Sequence, residues 1–435
     1  MCIRDSICPV SHHLAAAKAM DVIVGAGTGD GLTPTGEKMR RLMHYGQMFQ
    51  SHTLHFFHLA SPDLLFGVDA DPAIRNVIGV VLEHKDLAVQ AVLMRKFGQE
   101  IIRATAGKKI HGTGAIPGGI NKNLSPEERD EFLKGPDPLN ADKMVEWAQA
   151  AVDLFKDYHS KHSDMLDNFA VFPSNHLSLV RKDGAMDLYH GVLRAVDPEG
   201  KKILNDVDYQ DYYNHIGEEV KNWSYMKFPY LKKIGWNGFV DGKDSGVYRV
   251  APLARLNVAD CMATPRAQKE FEKMFKILGG KPAHNTLAFH WARLIEVMFA
   301  AEHMVKMLED KTITSTDIRR LPTDKPKEGI GIVEAPRGTL IHHYKTDEEG
   351  MVTGVNLIVA TVGNSAAMSM SIARAAQNLI KNGEFNDGIL NMIEMAFRPY
   401  DPCLACATHS LPGKMPLMVN VYDKDRNKIK TITRD

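Results

Sequence analysis

The chain of 435 residues balances 53 Lys and Arg against 53 Asp and Glu, for a formal net charge of zero. It therefore lacks the basic excess that nucleic acid or an anionic membrane demands, and the partner it implies is another protein. A chain this long buries about three quarters of its unfolded surface, so a large core is feasible without disulfides.

In chain order, Met1–Ser6 reads as an artefactual leader on a domain whose authentic N-terminal part is absent. Ser11 looks like the N-cap of a short helix through HHLAAAKAMD, and Pro34 opens a longer one with Met39, Leu42, Met43, Gly46 and Phe49 on one face, running on toward Phe57. Asp71 and Pro72 read as the cap and first turn of a helix ending near Gly107, and Asn140 starts another. Between about 168 and 260 the periodicity turns strand-like in FAVFP, HLSLV and MDLYHGVLRAV, with a turn at Lys182, Asp183 and Gly184. Helical patterning resumes at 266–277 and 284–308, where Leu287, Trp291, Leu294, Ile295, Met298 and Met304 form a wide apolar stripe. A hairpin is expected around Glu348, Glu349 and Gly350, followed by helices at 365–381 and 386–397 that deliver the chain to Cys403. The fold class read from this pattern is mainly α with a smaller β-containing portion, one large helical domain with a β excursion.

No run of about 18 apolar residues marks a membrane span, and no secretory or twin-arginine signal opens the chain. Five cysteines, two of them three positions apart near the C-terminus, fit metal or redox chemistry in a reducing compartment, which makes the cytoplasm the expected location. The most specific segment is Asp401-Pro402-Cys403-Leu404-Ala405-Cys406-Ala407-Thr408-His409. A tight Cys-x2-Cys turn brings two thiolates to one centre, and two thiolates rarely saturate a metal. Alone, such a pair is half of a structural zinc site about as often as not. No second Cys-x2-Cys supplies the other half, and the other cysteine in a comparable setting is Cys8, four residues before His12. Cys261, with no partner nearby, reads as structural. The Gly-x-Gly spacings at 25–31 and 112–119 lack the strand-to-helix context of a phosphate loop, so no bound nucleotide is expected here. His52, His55, His290 and His303 sit on amphipathic helices and read as satisfied rather than ligating.

Cys-x3-His near the N-terminus together with Asp-Pro-Cys-x2-Cys-x2-His near the C-terminus resembles the signature of nickel–iron hydrogenase large subunits, and the likeness extends through nearly the whole chain. It is closest to the soluble, cofactor-linked group, NAD-reducing or coupled to heterodisulfide reductase. In that family the N-terminal motif is Arg-x-Cys-Gly-x-Cys-x3-His; here Asp5 stands in place of the first Cys and Ser6 in place of Gly. Taken literally, the chain as written would offer nickel three thiolates and be crippled.

The resemblance implies the large-subunit fold with a central bundle of long helices, and reversible heterolytic cleavage of H2. Cys8 and Cys406 would bridge nickel and iron, Cys403 would be a terminal nickel ligand, the proton would go to Cys403 or to a neighbouring base near Arg337, and His12 would hydrogen-bond a bridging thiolate. The iron would carry cyanide and carbon monoxide, faced by Pro336 and Arg337 of the Glu334–Leu340 loop and by Thr361, which on its own is an ordinary strand threonine. Asp63 and Asp401 match positions that pair with Arg337, since a buried guanidinium needs a carboxylate partner. The implied partners are an iron–sulfur small subunit, diaphorase or heterodisulfide-reductase subunits, and an endopeptidase that removes Ser410–Asp435 after His409. His409 would then help hold a magnesium ion. The domain itself spans 7–409, and the extension reads as a small hairpin. The rival readings are a zinc-stabilised scaffold and a non-catalytic core protein of the quinone-oxidoreductase kind.

Overall fold

The computed structural model describes residues 8–26, 31–67, 70–71, 73–323, 327–407, 417–423 and 425–434. The first helix begins earlier than the serine at position 11 implies. Pro9 occupies its first turn, where a missing N–H costs nothing, so Cys8 becomes the residue that precedes the helix Pro9–Ile23. The helix Pro34–Leu54 starts as expected, with the Thr33 hydroxyl accepting from Gly36 N–H and Pro34 in the first turn. It then widens into a π-helical turn, His55–Ala60, before Ser61–Phe66. Such turns cluster at functional sites because they re-aim the side chains on either side.

The expected helix from Asp71 is instead two. Asn76, not Asp71, accepts from Ile78 N–H and Gly79 N–H to cap Val77–Glu83, and non-helical His84 separates this from Lys85–Ala106; Pro72 lies outside the described residues. Ala141–Asn168 is capped by Asn140 as expected. The helix Ala288–Glu309 is buried on almost every side, including Trp291, Leu294, Ile295 and Met298. Pro34–Leu54 and Ala141–Asn168 pack against it, and Lys85–Ala106 packs on the outer face of Pro34–Leu54, so these long helices form the main core.

The β excursion contains a mixed sheet in the order Lys202–Val207, Val192–Val196, Asn175–Val180, Tyr248–Arg249, beside a hairpin of Ile216–Glu219 with Phe228–Leu231. FAVFP joins no ladder. Its proline has no N–H to donate, and Phe169 closes the preceding helix instead.

A second sheet sets the site. The expected hairpin, Gly338–Thr346 with Val352–Ile358, is present, and a third strand, Glu328–Ala335, pairs on its other side. What reads as a loop before the hairpin is thus a two-residue turn, Pro336 and Arg337, between paired Ala335 and Gly338. The first helix lies directly on this sheet. A Cβ on Gly331 would meet Ala15 O at 1.9 Å, so only glycine lets the backbones approach this closely. Ala15 lies over Gly331 and Ala19 over Gly329, so the N-terminus of the helix, with Cys8 and His12, points toward the Pro336–Arg337 end of the sheet. At the C-terminal end, Leu417–Tyr422 and Lys428–Arg434 pair as the expected antiparallel hairpin.

Candidate metal centre

Four segments converge on one buried point. Cys8 arrives on the helix start, Arg337 on the sheet turn, Thr361 on a 3-10 turn, Ala360–Asn364, and Cys403 and Cys406 on the strap that follows the last helices. Cys8, Cys403 and Cys406 are all buried, and none of the three is in a disulfide. The short helical turn Leu404–Ala407, closed by Cys406 N–H and Ala407 N–H donating to Cys403 O, puts Sγ of Cys403 and Cys406 2.6 Å apart. A His12 ring nitrogen and the sulfurs of Cys8 and Cys406 all lie within 4.8 Å of one another.

The strap is fixed from several sides. Arg293 donates to Pro399 O at 2.8 Å, His55 Nε2 pairs with Arg398 O at 2.8 Å, and the Tyr400 hydroxyl meets Ser371 Oγ at 2.8 Å. Asp401 then takes a left-handed conformation, φ 53°, tolerated by aspartate better than by most residues, and turns the chain into Pro402-Cys403. Cys403 N–H donates to the Thr361 hydroxyl at 3.1 Å. Thr361 is therefore a turn residue that holds the cysteine strap, not a strand threonine.

Arg337 is fully enclosed. Its guanidinium donates to Asp401 Oδ1 at 3.0 Å and to Ser51 Oγ at 3.4 Å, while Asn364 Nδ2 donates to its carbonyl at 3.3 Å. Next to it, Gly338 has φ 133°, and a Cβ there would meet Val250 Cγ2 at 2.2 Å, so glycine is required for the turn to seat. Asp63 does not share this role. Its carboxylate pairs with Arg398 and with Arg75, and the first of these ties the short helix Ser61–Phe66 to the strap instead. Pro336 contributes geometry, fixing the turn from which Arg337 projects.

The electrostatics favour thiolates at Cys8 and Cys403. Cys8 is held well below the ordinary thiol range, first by a hydrogen bond from Cys406, against the opposing effect of burial, and then by His12 and Arg337. Cys403 is lowered too, again first by Cys406, while Cys406 is pushed up because its proton is shared between the other two sulfurs. Burial works against the Arg337 charge, but Asp401 and the three sulfurs more than offset it and raise its pKa. Burial also raises Asp401, outweighing Arg337 and Arg293.

Buried soft sulfur donors gathered beside a cation suit a thiophilic transition metal. Arg337 Nε and Asp401 Oδ2 are buried and have no hydrogen-bond partner among the described residues, as expected of groups that face an additional acceptor or donor in the site. His409, Asp5 and Ser6 lie outside the described residues.

Sequence reasoning missed the support around this point. His52 Nε2 pairs with Glu296 at 2.8 Å, and Arg255 bridges Glu296 at 2.6 Å to Glu334 at 3.0 Å, with Thr339 donating to Glu334 at 2.8 Å. The one available signal was charge inside the apolar stripe of 284–308, where Arg293 and Glu296 stand on a helix otherwise built for burial.

Residues 89–409 match the family profile for nickel-dependent hydrogenases. The chain is 46% identical over 423 residues to the beta subunit of the NAD-reducing hydrogenase HoxS of Cupriavidus necator, covering 96% of this chain and 85% of that one. It is 40% identical over 432 residues to an iron–sulfur subunit of the F420-non-reducing hydrogenase of Archaeoglobus profundus, covering 98% of this chain and 87% of the relative. Among solved structures, an NAD+-reducing nickel–iron hydrogenase in its H2-reduced state superposes with a TM-score of 0.87 at 46% identity, over 93% of this chain and 86% of that chain. The chain thus has the large-subunit fold, and it belongs to the nickel-dependent hydrogenase large-subunit family, oxidoreductases that act on H2.

Proposed function

We propose that this chain, once the cysteine of the family's N-terminal motif replaces Asp5, catalyses H2 ⇌ 2 H+ + 2 e− at a nickel–iron centre held by that residue with Cys8, Cys403 and Cys406. The observation that carries the reading is the convergence of these three sulfurs under the Arg337–Asp401 pair. The metal centre would supply the Lewis acidity and two-electron capacity that no side chain has, with cyanide and carbon monoxide on the iron.

The residues divide the remaining work. Cys8, Cys403 and Cys406 would hold the metals through sulfur, and Cys403 Sγ, held as thiolate, or a neighbouring base near Arg337 would take up the proton. Arg337 would supply a planar cation beside the metals, with its buried Nε available to donate to a diatomic ligand nitrogen. Asp401 neutralises it and aims the fork. Thr361 holds the strap through Cys403 N–H. His12 would donate to the Cys8 thiolate. The enclosing helices exclude bulk water, which strengthens each of these interactions.

Electrons would leave through an iron–sulfur small subunit, since five cysteines are too few for this chain to carry a cluster of its own beside the centre. The NAD-reducing name of one relative supports NAD as the acceptor, reached through diaphorase subunits, with a heterodisulfide-reductase complex as the other reading. The proposed compartment is the cytoplasm, and among the described residues no helix is long and apolar enough to cross a membrane. An endopeptidase would remove Ser410–Asp435 once nickel is in place, leaving His409 as the C-terminus and a ligand for magnesium.

Metal analysis and H2-uptake assay of the complex purified with its maturation machinery test the reading. Nickel with iron and H2-dependent acceptor reduction are expected in the parent with its N-terminal motif restored, not in the chain with Asp5, and are lost in Cys406→Ser, because a neutral hydroxyl is a poor ligand for soft metals. Zinc alone, or no metal, would refute it. Mass spectrometry of active enzyme should find the chain ending at His409, and active enzyme retaining 410–435 would remove the processing step.

A further inference from the structure

Behind His12 stand two further polar side chains to which the mechanism above gives no role. His12 Nδ1 lies 3.0 Å from His342 Nε2, and His342 Nδ1 lies 2.7 Å from the Tyr344 hydroxyl. Positions 342 and 344 share one face of the strand Gly338–Thr346, as side chains two apart do, and that face packs on the first helix. His12 and His342 are fully buried, and Tyr344 packs beside Ala19 and Ile23 near the surface.

The bonding pattern restricts where the protons sit. A neutral imidazole has one N–H and one bare nitrogen, so each ring can donate at one end only. Burial holds His342 well below the ordinary histidine range, which keeps it neutral. If Tyr344 O–H donates to His342 Nδ1, then His342 Nε2–H donates to His12 Nδ1, and His12 carries its proton on Nε2. With Nδ1 occupied by His342, Nε2 is the nitrogen left for the sulfurs that lie within 4.8 Å. The opposite polarity would also satisfy the two bonds, but it would aim a lone pair at an anionic thiolate.

We propose that His342, anchored by Tyr344, is a positioning residue that fixes the His12 tautomer and so presents Nε2–H to the Cys8 thiolate. This rests on the reading of Cys8 as a metal-bound thiolate. A hydrogen bond to a ligating sulfur draws electron density from it, so the polarity of the chain reaches the metal centre without touching it.

The test compares the parent with His342→Gln, whose amide can still donate to His12, with His342→Leu, which cannot, and with Tyr344→Phe. In the metal-free chain, 15N shifts of labelled histidine should show His12 protonated on Nε2 in the parent and in His342→Gln, and exchanging between tautomers in His342→Leu. In the nickel-loaded complex, the infrared bands of the diatomic iron ligands should be unmoved in His342→Gln, displaced in His342→Leu, and displaced less in Tyr344→Phe. Nickel content should stay equal, and turnover should fall roughly 10-fold in His342→Leu. His12 protonated on Nδ1 in the parent, or bands in His342→Leu identical to the parent, would overturn the inference. If His342→Leu does not fold, Tyr344→Phe decides by the same readouts, displaced bands supporting the inference and identical bands overturning it. A parent complex with its N-terminal motif restored but without nickel would instead sink the proposed function, leaving the His12 tautomer to be read from the metal-free chain.

Discussion

Arg337 illustrates how much a single side chain depends on shape as well as charge. Its fork is divided between Asp401 and Ser51 while Nε stays buried with no partner among the described residues, an arrangement that a single ammonium cannot copy. Arg337→Lys should therefore keep nickel and iron but lose on the order of 10²- to 10³-fold in H2 turnover, as when one preorganised donor is withdrawn from a transition state. Metal analysis beside an activity assay checks this, and an unchanged rate would place Arg337 outside the reaction. At this scale the cysteines were legible in the sequence because their spacing is unusual, and the arginine only through the family resemblance. The carboxylates were only half legible. Asp63 and Asp401 look equivalent as isolated residues near Phe and Pro, and only the path of the strap decides that Asp401 meets Arg337 while Asp63 meets Arg398.

Elements were legible where local chemistry sets them. Thr33-Pro34 and Asn140 start their helices as the sequence implies, and the Glu348–Gly350 turn closes its hairpin with Gly350 at φ 83°. The start at Cys8 was not, because Ser11 is the better local cap and Pro9 overrides it. The strand Glu328–Ala335 was also hidden. Its glycines weaken the strand signal, and their purpose appears only when the first helix lies on them. Gly331→Ala tests that contact. The added methyl meets a backbone carbonyl that cannot rotate away, so the variant should lose about 1–3 kcal/mol or more and shift the helix that carries Cys8. Denaturant unfolding and metal retention measure the two effects, and a neutral result would show that helix and sheet can separate freely.

For the whole molecule, the composition announces balance, yet the interior holds charges and neutral histidines that a residue count cannot locate. Burial holds His44, His52 and His303 at about 4. Below pH 6.5 the unfolded chain binds protons that the folded chain refuses, so each of these groups withdraws stability as pH falls from about 6.5 to 4, by up to roughly 3 kcal/mol. Glu296, kept at about 2 by Arg255 and His52 in spite of burial, acts in the same direction at lower pH, between its unfolded value near 4.3 and 2. Unfolding midpoints should decline steadily from pH 7 to pH 4. A flat profile would mean that the histidines reach water in the native state.

The meeting of Cys8 with Cys406 has a consequence for the chain as a polymer. These residues stand about 400 positions apart, so whatever binds both sulfurs closes a loop of nearly the entire sequence. A cross-link of that span restricts the unfolded ensemble by on the order of 6 kcal/mol, more than a short bridge could. Loaded protein should accordingly unfold at markedly higher denaturant than the same chain without metal, with the gap abolished in Cys8→Ser. Equal midpoints would mean that the metal leaves one of the two sulfurs before the fold opens.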